Sequence, residues 1–130
     1  MIVVDASAAL ELVLGTPRGQ VLAGRFFAPG QTLHAPHLID LEVAQVLRRY
    51  ASLGEVSAER GRQALADLAD LPLSRYPHTV LLPRVWELRH NATAYDAAYL
   101  ALAEALDAPL VTADARLATA PGHTAVVEVI

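Results

Sequence analysis

The chain has 130 residues, of which 54% are hydrophobic, enough for one domain with a real core, residues 1–130. It has no cysteine, which excludes disulfides and thiolate metal sites, and all ten basic residues are arginine, which excludes any lysine-dependent mechanism. A formal charge of −4 argues against a broad basic nucleic-acid surface, and no apolar run approaches transmembrane length.

Met1 leads directly into the apolar run Ile2-Val3-Val4 and Asp5, without the basic segment and long apolar stretch of a signal peptide. A cytoplasmic protein without a membrane partner is the expectation. Ile2 to Asp5 reads as a buried strand, and Ser7 to Leu14 as a short helix ended by Gly15. Pro17 opens another helix through about Phe27. Thr32 to Ala35 is a second short strand. From Leu38 to Leu53, the stripe Ile39, Val43, Val46, Leu47 and Tyr50 predicts an amphipathic helix stopped by Gly54. Ser57 starts a helix through about Leu71, Leu73 to Tyr76 is a short strand, and Thr79 to Arg89 is a helix carrying Trp86. Thr93 caps a helix over Ala94 to Leu106, and two strands follow, Pro109 to Thr112 and Val126 to Val129.

Strands separated by helices predict an α/β fold, a Rossmann-like parallel sheet between two helical layers with right-handed crossovers. Ligand sites in such sheets lie beyond the carboxyl ends of the strands, where Asp5 and Asp114 fall. Two further acids, Glu42 and Asp96, also sit against apolar sequence, where a carboxylate is costly unless compensated. If the fold gathers all four, their repulsion is relieved by a shared divalent cation with oxygen ligands.

Each acid also has a structural use. Asp5 and Asp114 stand where N-caps stand, and Asp96 lies three residues after Thr93, as the acidic half of a capping box does. Glu42 borders the apolar stripe of its helix on one edge as Asp40 does on the other, so spacing alone does not choose between them. The five histidines show no ligand spacing and read as surface or loop residues, while Tyr95, Tyr99 and Trp86 read as packing residues. Arg116, two residues beyond Asp114, reads as an exposed helix residue within reach of a phosphate.

The segments Val4-Asp5-Ala6-Ser7-Ala8, Leu41-Glu42-Val43, Thr93-Ala94-Tyr95-Asp96-Ala97-Ala98-Tyr99 and Leu110-Val111-Thr112-Ala113-Asp114 resemble, in order, those of the PIN-domain family. More narrowly they resemble the VapC toxins of bacterial toxin–antitoxin pairs. The stretch from about Gly54 to His90 carries no matching motif. The resemblance implies a Mg²⁺- or Mn²⁺-dependent endoribonuclease acting on RNA, a homodimer held inactive by an antitoxin protein. It implies Asp5, Glu42, Asp96 and Asp114 as the catalytic acids. Of these, Asp5, Asp96 and Asp114 would be metal ligands, with Ser7 and Thr112 as hydroxyl supports.

Three other functions compete. A phosphoacceptor signalling module and a haloacid-dehalogenase-like phosphatase share the parallel sheet and the Asp chemistry, but both normally need a lysine, which is absent here. A PIN-like domain that binds without cutting has the same sequence features as the nuclease.

Overall fold

The computed structural model describes residues 1–130. Five strands form one parallel sheet: β1 (Ile2–Val4), β2 (Leu33–Pro36), β3 (Leu73–Tyr76), β4 (Leu110–Thr112) and β5 (Val127–Val129), in the order β3-β2-β1-β4-β5. Seven helices connect and flank them: α1 (Ala6–Leu14), α2 (Pro17–Phe26), α3 (Ile39–Ser52), α4 (Ala58–Asp70), α5 (Leu82–Glu87), α6 (Ala94–Leu106) and α7 (Ala115–Thr119). The α/β architecture expected from the alternating pattern is the one observed.

The central strands β1 and β4 are short and almost wholly apolar, as parallel strands covered on both faces must be, while the edge strands β3 and β5 carry Ser74, Arg75 and Glu128. Ile2, Val3, Val4, Leu110 and Val111 are each at most 2% exposed. Helices α1 to α4 pack on one another as one group, while α6, joined by α5, lies against β1, β2 and β4. In α6 the unbroken run Ala97 to Ala103 is buried, which explains why this helix is apolar nearly all round rather than amphipathic. Its small alanines let the helix sit close to the sheet. Close approach also decides Gly19, where an added Cβ would lie 2.0 Å from the Glu11 carbonyl oxygen, so a side chain there would separate α2 from α1.

Four expectations need correction. Trp86 is 68% exposed, because α5 is a six-residue helix with no buried position and its ring is stacked by the Arg89 guanidinium at 4.6 Å. The helix expected over Thr79 to Arg89 is a 3₁₀ turn, His78–Leu81, followed by α5. Pro83 accounts for the join, since it cannot donate the hydrogen bond that a continuous helix would need. His34 is a buried strand residue and not a surface one. Its Nε2 meets Thr32 Oγ1 at 2.8 Å and its Nδ1 meets the Tyr76 hydroxyl at 2.6 Å, and burial lowers its pKa. Finally, Tyr99 is fully buried as expected, but Tyr95, one helical turn earlier, is 65% exposed.

Candidate active site

The sheet grows from β1 to β2 to β3 in one direction and then returns to place β4 on the other side of β1. Between β1 and β4 the loops leaving the carboxyl ends diverge, which opens a crevice at that edge. Asp5 directly follows β1, and Asp114 lies two residues beyond β4. Both therefore stand at the crevice. Glu42 in the first turn of α3 and Asp96 in the first turn of α6 complete its acidic lining, in a cleft of about 620 Å³ that also exposes Ser7, Tyr50, Arg49 and Arg116.

Asp5 occupies the N-cap position of α1, but its side chain makes no capping bond. Instead Ser7 and Thr112 both donate to Asp5 Oδ2, at 2.5 and 2.8 Å. Each hydroxyl in turn accepts a backbone N–H, Ser7 from Ala113 and Thr112 from Asp114, both at 2.9 Å. The directions are forced: an ionised carboxylate only accepts, and a backbone N–H only donates. Asp5 is thus held by one oxygen through two hydroxyls whose own lone pairs are fixed by the turn after β4. Its Oδ1 is left for a ligand.

Asp114 does cap its helix, accepting the Arg116 N–H at 3.0 Å. Its carboxylate is also gripped by the Arg116 guanidinium, at 3.1 Å from Nε and 2.8 Å from Nη2. That bidentate pair holds the Asp114 carboxyl below the usual range. Thr93 caps α6 through the Asp96 N–H, at 3.2 Å, but the reciprocal bond of a full capping box is not made, so the Asp96 carboxylate faces the cleft. Burial first, then the charges of Asp5 and Asp114, push its pKa up.

Glu42 and Asp40 part company in the fold. Asp40 pairs with Arg75, 2.8 Å from Nε and 2.9 Å from Nη2, which ties α3 to β3 outside the cleft. Glu42 lies inside it and accepts the Tyr99 hydroxyl at 2.7 Å through Oε1. Burial raises the Glu42 pKa, with Asp5 and Asp96 adding to the rise and the Tyr99 bond opposing it. Sequence reasoning missed Tyr99 as a site residue. Its four-residue spacing from Tyr95 suggested packing, and nothing local could reveal a partner on α3.

Four oxygen-rich side chains that repel one another, with no imidazole or thiolate among them, are the donor set of a hard divalent cation. As they stand, no three acidic or imidazole side chains close round one point, since Arg116 holds Asp114 and Tyr99 holds Glu42. The oxygen donors of the four acids are of the kind a hard divalent cation takes.

Comparison with known proteins gives a consistent result. A PIN-domain family model matches residues 2–122. The VapC ribonuclease Mb0985 of Mycobacterium bovis is 49% identical over 117 residues, covering 90% of this chain and 88% of its own. Among solved structures, PAE2754 from Pyrobaculum aerophilum has a TM-score of 0.68 at 26% identity, covering 96% of this chain and 88% of that one. A chain of VapBC2 from Rickettsia felis, solved bound to a DNA fragment from the promoter, has a TM-score of 0.70 at 15% identity and covers 98% of both chains, a likeness of fold.

Proposed function

The chain belongs to the PIN-domain family, and from that premise we propose that it is a divalent-metal-dependent endoribonuclease of the VapC kind, the toxin of a toxin–antitoxin pair. The observation that carries the reading is the convergence of Asp5, Glu42, Asp96 and Asp114, from four separate segments, on one cleft at the β1/β4 crevice. Of the four, only Asp114 makes a side-chain capping bond, so capping does not account for their convergence.

In this reading Asp5, Asp96 and Asp114 would hold a Mg²⁺ or Mn²⁺ ion. When bound, such an ion polarises a phosphoryl oxygen and acidifies a coordinated water. The chain's own groups set the geometry. Ser7 and Thr112 fix the Asp5 carboxylate, so its free oxygen is positioned before any ligand arrives. Tyr99 holds Glu42 by one oxygen and leaves the other to orient the attacking water or the ion.

An acidic cleft is also a receptor for an arginine-bearing segment of an antitoxin, which would replace the cation's charge and block the site. Val80, Leu82 and Trp86 are exposed on the 3₁₀ turn and α5, apolar surface that supports a homodimer. No helix is long and apolar enough to cross a membrane.

The test is cleavage of labelled RNA by protein freed of any bound partner, with Mg²⁺, with Mn²⁺ and with excess chelator. Metal-dependent cleavage by the parent, lost in Asp96→Asn, is expected. Binding of RNA without cleavage under every metal condition would favour the non-cutting module.

A further inference from the structure

A nuclease cleft lined by four carboxylates has a difficulty with its substrate: RNA brings further negative charge. Two arginines, Arg49 and Arg116, line the cleft against those acids. Arg116 is already committed to Asp114 through two hydrogen bonds. Most of the other arginines are also taken. Arg25, Arg62, Arg75 and Arg84 sit in ion pairs, while Arg60 and Arg89 donate to backbone carbonyls. Arg49 makes no hydrogen bond or ion pair to the protein, is exposed, and stands in the cleft. Its guanidinium lies 5.8 Å from the centre of the Tyr50 ring, which braces it weakly without using its donors.

Helix geometry connects Arg49 to the acids. Leu38, Glu42, Gln45, Val46 and Arg49 all line the cleft, and their spacing of four, three, one and three residues marks one face of α3. Arg49 is seven residues beyond Glu42, about 10 Å along the helix axis. That offset roots Arg49 about two helical turns from the acidic centre, on the same face of α3. We infer that Arg49 is a substrate-binding residue that takes an RNA phosphate beyond the scissile one, so that the α3 face carries the strand away from the acidic centre. The inference rests on the nuclease reading above and adds to it where the strand runs. Arg49 does not touch the reacting atoms; it holds the strand in register with them.

The test is equilibrium binding of a labelled, unstructured, mixed-sequence RNA in chelator, titrated with salt, alongside cleavage of the same RNA in Mg²⁺. A lost contact to a single-stranded phosphate lowers the slope of log affinity against log salt by about 0.7. Arg49→Ala should show that smaller slope and a raised KM with a nearly unchanged kcat. Arg49→Lys should restore the slope, since the charge is kept. Arg18→Ala is the control, removing an equal charge from an exposed arginine outside the cleft, and should leave the slope alone. Melting curves should show Arg49→Ala as stable as the parent.

If the parent cleaves RNA and Arg49→Ala keeps its slope and KM, the Arg49 assignment is overturned and the nuclease reading stands. The assignment fails equally if Arg18→Ala lowers the slope as much as Arg49→Ala, because the effect is then only net charge. A parent that neither binds nor cleaves RNA overturns both.

Discussion

The Tyr99 hydroxyl donates to Glu42 Oε1 at 2.7 Å, joining two residues 57 positions apart and fastening α6 to the start of α3. Tyr99 is fully buried, and burial together with the Glu42 charge lifts its pKa well above the ordinary tyrosine value. The phenol is therefore a permanent donor, and Glu42 is the charge it serves.

Tyr99→Phe keeps the ring packing and removes only the donor. A hydrogen bond to a charged group contributes about 1.5–3 kcal/mol, so thermal or denaturant unfolding should show a loss in that range. Cleavage should fall further than stability alone explains, because Glu42 loses its fixed orientation. An unchanged cleavage rate would remove Glu42 orientation from the mechanism.

Thr112→Val tests the hydroxyl support of Asp5. Thr112 is fully buried, donates to Asp5 and accepts from the Asp114 N–H, so valine of similar size leaves that N–H without its partner and Asp5 with the Ser7 hydroxyl alone. The expected cost is about 1–3 kcal/mol, with weaker Mg²⁺ binding measured by titration. Ser7→Ala removes the second hydroxyl and should add to the metal-binding loss. Full metal affinity in the double variant would show that Asp5 needs no support.

Much of the fold was legible because parallel strands and buried helices leave plain marks: the runs Ile2 to Val4 and Leu110 to Thr112, and the unbroken apolar stretch of α6. Asp5 and Asp114 were legible for the same reason, since the carboxyl end of a parallel strand is a place and not only a spacing. Spacing alone did not distinguish Glu42 from Asp40; the family resemblance singled out Glu42, and in the fold Asp40 is taken up by an ion pair to Arg75, 35 residues away. His34, Tyr99 and Trp86 were misjudged or missed in their surroundings for a common reason. Whether a ring is buried, and what it bonds, depends on elements far away in the chain.

The Asp40 and Glu42 pair makes a direct test of that distinction. Asp40→Asn disturbs a partly exposed ion pair and should cost at most about 1 kcal/mol, with cleavage retained. Glu42→Gln should abolish cleavage while melting close to the parent. If Asp40→Asn also abolishes cleavage without unfolding the protein, the assignment of the acid on α3 is wrong.

Metal should stabilise the folded chain, which alone gathers the carboxylates. At a hundredfold excess of Mg²⁺ over its dissociation constant the gain is about 2.7 kcal/mol, read as a rise in melting temperature. Asp5→Asn and Asp96→Asn should each shrink that rise. An equal rise in all three proteins would place the bound metal elsewhere.

Without metal, the pH dependence of stability distinguishes a repulsive acidic centre from separate caps. Asp96 and Glu42 have folded-state pKa values above their ordinary ones, so between those values the folded chain binds more protons than the unfolded chain. Their contribution to stability is greatest at low pH and declines as pH rises through the ordinary carboxylate values to the raised ones. Asp114 has the opposite sign: its pKa is lowered by Arg116, so its contribution is present above the ordinary value and is lost as pH falls through the lowered one. Asp96→Asn should flatten the decline on the raised side and leave the acid-side loss from Asp114 in place. At neutral pH in chelator it should then melt at or above the parent. If Asp96 served only the start of α6, losing its charge would cost about 0.3–1 kcal/mol, and the variant would melt below the parent. Melting of both proteins across the acid-to-neutral range decides between these outcomes, and the second would remove Asp96 from the metal site.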